Sequence, residues 1–173
     1  MPTVSVTPSV VVSETPSVSP SPTALSEDEL LALIPEDARA ENFVSASNFA
    51  KFFVQEYQRM FVERDPSLLN VLSGPDCEFC QSARDSFAQL EAAGQHREGG
   101  DVTIDPAAAV GGLQDDGTYS VTLPMSTGPS ETLDAQGVVL GSSGGGSGLA
   151  AFSLQYSDAH WVVLGVNVQR SGE

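Results

Sequence analysis

Residues 37–64 read DARAENFVSASNFAKFFVQEYQRMFVER, a stretch with neither proline nor glycine. Within it Phe43, Ala46, Ala50, Phe53, Tyr57 and Phe61 recur at steps of three or four, the spacing that stacks apolar side chains on one face of an α-helix. Phe49, Phe52, Val54 and Met60 widen the stripe. A face this broad predicts a helix that lies on a sheet and touches other helices with its flank.

Working outward, Ser26-Glu27-Asp28-Glu29 matches a capping box and predicts a short helix carrying Leu30, Leu31 and Leu33 up to Pro35. On the other side Asp65-Pro66 ends the long helix, and Ser67 to Leu72 forms a second short one. After Ser73-Gly74-Pro75, Asp76 is the expected cap of a helix reaching about Ala93, with Phe79, Ala83, Phe87 and Leu90 inward and Gly94 closing it. Beyond Gly99-Gly100 the period becomes two. Val102, Ile104, Pro106, Ala108 and Val110 share a face, and Tyr119, Val121, Leu123 and Met125 alternate with polar or small partners. Leu133 and Ala135 begin a strand that continues through a bulge at Gly137 to Leu140, and Leu149–Tyr156 and His160–Arg170 are the last two strands. Helices first and strands second is an α+β pattern: a curved antiparallel sheet wrapped on a long helix.

Residues 1–26 have a different composition, with 7 Ser, 4 Thr, 5 Pro, 6 Val and Glu14 as their one charge. No apolar period runs through them, so they read as a disordered tether that would reach about 80 Å if extended. The folded domain is then 27–173. The chain's net charge of −16 falls almost wholly there, with 22 of the 23 acids and all 7 bases. Lys51 is the single lysine. Such a surface repels nucleic acid and anionic membranes, and no apolar run is long enough to span a bilayer. Met1-Pro2 reads as a trimmed start, so an anchor upstream of the tether is an expectation.

The element order resembles the cone-shaped NTF2-like (cystatin-like) fold. The stretch from Pro35 to Cys80, with Ala38, the aromatic helix Phe49–Phe61, the Asp65 turn, Leu68–Leu72 and Cys77-Glu78-Phe79-Cys80, resembles a family of uncharacterised actinobacterial lipoproteins, a domain of unknown function. That resemblance implies a signal peptide and an acylated cysteine before the Ser/Thr/Pro spacer. It implies no activity. It would hold the domain outside the cell, tethered to the outer face of the cytoplasmic membrane, with lipid as the only membrane contact.

Cys77 and Cys80 are the only cysteines. A c-type haem site needs His after the second and meets Gln81. A zinc site lacks a second close ligand pair, since His96 and His160 stand apart. A redox pair at a helix start is chemically sound, but Asp76 and Glu78 disfavour the thiolate and no βαβ setting surrounds it. A structural disulfide fits an oxidising compartment best, fixing the turn into the helix. Gly141-Ser142-Ser143-Gly144-Gly145 matches G-x-S-x-G with Asp158 and His160 following, yet that motif needs a strand, a strained turn and a helix. The glycine run reads instead as a hairpin loop. Tyr57, His160 and Trp161 are the candidates for lining a cavity at the cone's mouth, against simpler roles in the core and at a strand start. The inward strand positions are nearly all apolar, which predicts a cone filled by Phe53, Tyr57, Phe61 and Trp161.

These readings together predict a non-catalytic, cell-envelope domain that binds or scaffolds, with no metal, no cofactor and no nucleic acid. Its partner would be an envelope protein, a small ligand or, through the sheet, a second copy. The alternative is an isomerase or hydrolase using the cone cavity.

Overall fold

The computed structural model describes residues 25–171; nearly all of the expected tether lies outside them. Helix α1 (Glu27–Leu33) starts on the expected capping box, with Ser26 Oγ accepting from the Glu29 amide at 3.3 Å and the Glu29 carboxylate accepting from the Ser26 amide at 2.9 Å. The long helix α2 (Phe43–Glu63) begins later than the uninterrupted stretch allows, because Glu36–Ala38 close a 3-10 turn and Asn42 supplies the cap, its Oδ1 accepting from the Ser45 amide at 2.9 Å. Ala46, Phe49, Ala50 and Phe53 on α2 are all fully buried. Arg64 stops the helix in a left-handed conformation, φ 61°, and its guanidinium grips Glu91 at 2.6 and 2.8 Å.

Helix α3 (Ser67–Leu72) buries Leu68, Leu69 and Leu72. Helix α4 (Glu78–Ala92) is capped by Cys77 instead of Asp76: the Cys77 sulfur accepts from the Cys80 amide at 3.2 Å. The cap moves by one residue because the Cys77–Cys80 disulfide brings that sulfur over the first turn. At the other end Gly94, φ 65°, lets the Gln95 and Gly94 amides return to Leu90 and Glu91 carbonyls.

The strands are β1 (His96–Gly99), β2 (Val102–Ile104), β3 (Val110–Leu113), β4 (Tyr119–Thr127), β5 (Ser130–Leu133), β6 (Val139–Ser143), β7 (Gly146–Ser157) and β8 (His160–Arg170). These strands pair antiparallel with one another, in the orders β1-β5-β6 and β2-β4-β7-β8, with β3 also on β4, and Ser73 makes a single parallel bridge to Val163 of β8. The two sheets are halves of one creased surface. Ser130 of β5 faces Gly99 and Ser143, while Thr127 of β4 faces Val102 and Gly146. Between those rows the chain passes through Gly100, Gly128-Pro129 and Gly144-Gly145, and the crease folds β1-β5-β6 over the end of α2.

Three strand expectations change. Asp105 Oδ1 caps a 3-10 turn at Pro106–Ala108 by accepting from the Ala107 amide at 3.0 Å, splitting the expected strand 102–110 into β2 and β3. Gly137, φ 79°, sits in a tight turn and not in a bulge, since Asp134 Oδ1 accepts from the Gln136 and Val138 amides and reverses the chain. The glycine run 144–148 is not all loop, because Gly146–Gly148 already pair with β4.

Candidate functional site: a cavity at the crease

The inward side chains of the main sheet form cross-strand rows. One row is Val121, Phe152 and Val166; the next is Leu123, Ala150 and Val168; the next is Met125, Gly148 and Arg170; the last joins Thr127 to Gly146. Along β7 the inward positions therefore step from phenyl to methyl to hydrogen. Helix α2 crosses above with Phe53, Val54 and Tyr57, and Phe79 at the start of α4 closes the side. Helix and strand cannot meet where β7 has no side chains, and a cavity of about 360 Å³ remains, at the small end of the range usual for small-molecule sites. Gly148 is needed there for another reason: a Cβ would stand 2.2 Å from the Gln169 carbonyl oxygen.

A second cavity of about 180 Å³ adjoins it and shares Tyr57, Val102, Thr127, Ser143 and Arg170. Its other side carries Arg97, whose guanidinium carbon lies 4.3 Å from the centroid of the Phe61 ring, a cation–π contact that orients it. Gln58 ties helix to sheet, donating to Asp101 at 2.9 Å and accepting from the Val102 amide at 3.1 Å. The titratable side chains lining the two cavities are Tyr57, Arg97 and Arg170. The rest is aliphatic, aromatic, hydroxyl, amide or glycine. Such a lining holds an apolar body by burial and offers donors at one end.

Of the side chains expected at the mouth, Tyr57 is there, its ring 5.3 Å from both Phe61 and Phe79. His160 is not. It begins β8 while Arg170 ends it, so about 30 Å of strand separates them; its Nδ1 lies 3.1 Å from the Asp158 carbonyl oxygen. Trp161 fills the closed end instead, fully buried, with Tyr119 and Tyr156 rings each 5.0 Å away and Phe49 at 6.5 Å. The filled cone is thus half of the outcome: Trp161, against Phe49, plugs the narrow part, while Phe53 and Tyr57 line the open wide part. Ser143 lies at the crease, far along the sheet from Asp158 and His160, which separates the three members of the apparent hydrolase triad. Cys77 and Cys80 are joined in a fully buried disulfide. Phe79 between them lines the cavity, so the bridge holds one wall.

A family model described as a family of unknown function (DUF6318) matches residues 33–167. The chain belongs to this family. Among curated proteins there is no match. Solved structures similar to this DUF6318 domain include ActVI-ORFA from Streptomyces coelicolor, at 14% identity over 72% of this chain and 93% of that one, TM-score 0.46. The intermembrane space region of chloroplast protein ARC6 matches at 14% identity, 72% and 97% coverage and TM-score 0.46. A Nostoc punctiforme protein of unknown function with a cystatin-like fold matches at 9% identity, 72% and 90% coverage and TM-score 0.36. The architecture of this domain is α+β, with helices packed on antiparallel sheets. No helix among the described residues is long and apolar enough to cross a membrane.

Proposed function

We propose that this DUF6318 domain is a non-catalytic binding module that takes an apolar small molecule into the crease cavity, and that it works outside the cytoplasm at the end of a tether. The observation carrying the first part is the lining: an open, mostly apolar cavity built by the step from Phe152 to Ala150, Gly148 and Gly146. General acid–base catalysis most often uses an imidazole or a carboxylate poised against the substrate, whereas the titratable groups lining the two cavities are Tyr57 and two arginines, which suit retention. The buried disulfide supports the second part, since such bridges persist where the surroundings are oxidising. An anchor on the Ser/Thr/Pro spacer would place the cavity several tens of Å from the membrane.

The test uses a neutral apolar fluorophore such as Nile red. The wild-type chain should bind it in a saturable way with one site per molecule. Val168→Trp, at a lining position 41% exposed, should fill the opening and abolish binding while leaving the melting temperature within a few degrees. No saturable binding to the wild type, or equal binding to the variant, would overturn the reading.

A further inference from the structure

Acids outnumber bases 23 to 7 in this chain, yet the charged side chains lining the two cavities are arginines. Arg97 and Arg170 come from opposite edges of the structure, β1 and the end of β8, and converge on the same smaller cavity. Among the described residues the arginine–carboxylate pairs are those of Arg59 with Glu56 and Glu63 and of Arg64 with Glu91. Arg97 and Arg170 belong to neither set. Asp101, next to Gly100 of the lining, accepts from Gln58 at 2.9 Å and is not itself among the lining residues. Ser130, Ser143 and Thr127 also line the small cavity, with the Thr127 hydroxyl donating to the Gly146 carbonyl at 3.4 Å, so two serines stand beside the cationic donors.

Resting on the binding role proposed above, we infer that the ligand is an amphiphile with a single oxyanion head. Its apolar body lies in the larger cavity against Phe53, Tyr57, Phe79, Met125 and Phe152, and its head sits in the smaller one between Arg97 and Arg170. Three arguments meet in this assignment. The two cavities adjoin, sharing Tyr57, Val102, Thr127, Ser143 and Arg170 in their walls, which puts the arginine-lined cavity within reach of a molecule held in the apolar one. Guanidinium forks match carboxylate and phosphate oxygens with paired charge-assisted hydrogen bonds. The domain's negative surface repels free anions at long range, so a small hydrophilic anion gains little here, while one carrying an apolar body gains the burial energy as well.

Carboxylate and phosphate heads share this chemistry, and the experiment separates them. Binding of decanoate, decyl phosphate, decanol and decyltrimethylammonium is measured below their micellar concentrations by displacement of Nile red. One or both anions should bind on the order of ten- to a hundredfold more tightly than decanol, the difference that charged hydrogen bonds support, and the cation should bind weakest. Whichever anion binds more tightly names the head. Arg97→Gln with Arg170→Gln should lower anion binding to the decanol level while decanol binding stays the same. That unchanged binding also shows the variant to be folded. If decanol binds as tightly as both anions, the head-group inference fails and the apolar cavity stands. If none of the four displaces bound dye, the amphiphile inference fails and the apolar cavity stands; if the dye itself does not bind, both fail.

Discussion

Replacing Gly145 by alanine should destabilise the domain several times more than replacing Gly137, although the two backbones are alike. Both glycines have φ 79°, so an L-residue meets the same left-handed strain at each, roughly 1–2 kcal/mol. Alanine also restricts the unfolded chain at either site, which offsets the strain by about 0.4–1 kcal/mol. The positions differ in what the new methyl meets. At Gly137 nothing lies within 4 Å, whereas at Gly145 a Cβ would stand 2.3 Å from the Thr127 carbonyl oxygen and 2.8 Å from that of Gly128. Both obstacles are backbone of the facing strand at the crease, so they cannot swing aside. Forcing a methyl into such a contact adds about 1–3 kcal/mol. Gly137→Ala should therefore cost about 1 kcal/mol and Gly145→Ala about 2–4 kcal/mol. Urea denaturation of the two variants and the wild type measures this, with equal m-values confirming that the same surface is exposed in each. Losses equal to within about 0.5 kcal/mol, the usual error of such comparisons, would refute the argument that close backbone packing forms the crease.

Removing the disulfide by Cys77→Ser with Cys80→Ser should cost about 2 kcal/mol by loop entropy, because the bridge closes a loop of sequence separation 3. The domain should still unfold cooperatively, and a thiol assay on non-reduced wild type should find no free sulfhydryl in the denatured protein. Glu56, 8% exposed, has its carboxyl pushed above the ordinary range chiefly by burial, with the Arg59 guanidinium at 3.1 Å pulling the other way. A carboxyl raised in the folded state favours the protonated form, so its contribution to stability is fullest at acid pH and falls as pH rises through that raised value. Glu56→Gln should accordingly gain on the wild type between pH 4 and pH 7 in paired denaturation curves; a gap that is flat or shrinks with pH would show that Arg59 outweighs burial.

Helix α2 is legible in the sequence because its face is broad and no proline or glycine interrupts it. The ends of α1 are legible because Ser26, Glu29 and Pro35 each act through local chemistry. The cap at Cys77 is not, since Asp76 is the better intrinsic cap and loses only because the disulfide holds a sulfur over the first turn. The break at Asp105 could have been found: an Asp before Pro106 is a standard turn opening, and the apolar residues around it mask the signal. The crease is harder. Gly100, Gly128 and Gly144-Gly145 lie far apart in the chain and become one feature only when the strands are in register.

The residues at the mouth depend on one further accident of register. From Trp161, strict alternation along β8 would carry Val163, Gly165, Asn167 and Gln169 to the inner face and turn Val166, Val168 and Arg170 to solvent. The structure instead pairs Leu154 with Val163 and Ser153 with Gly165, leaving Leu164 as an extra residue. A bulge of this kind exchanges the two faces of every residue beyond it. Trp161 and Val163 consequently point into the closed end, and past the bulge Val166, Val168 and Arg170 point into the cavity. Reading the strand as regular turns Arg170 to solvent and so hides it from the mouth. The same bulge thus sets an apolar floor and a cationic rim on a single strand, which is the arrangement an oxyanion-headed amphiphile requires.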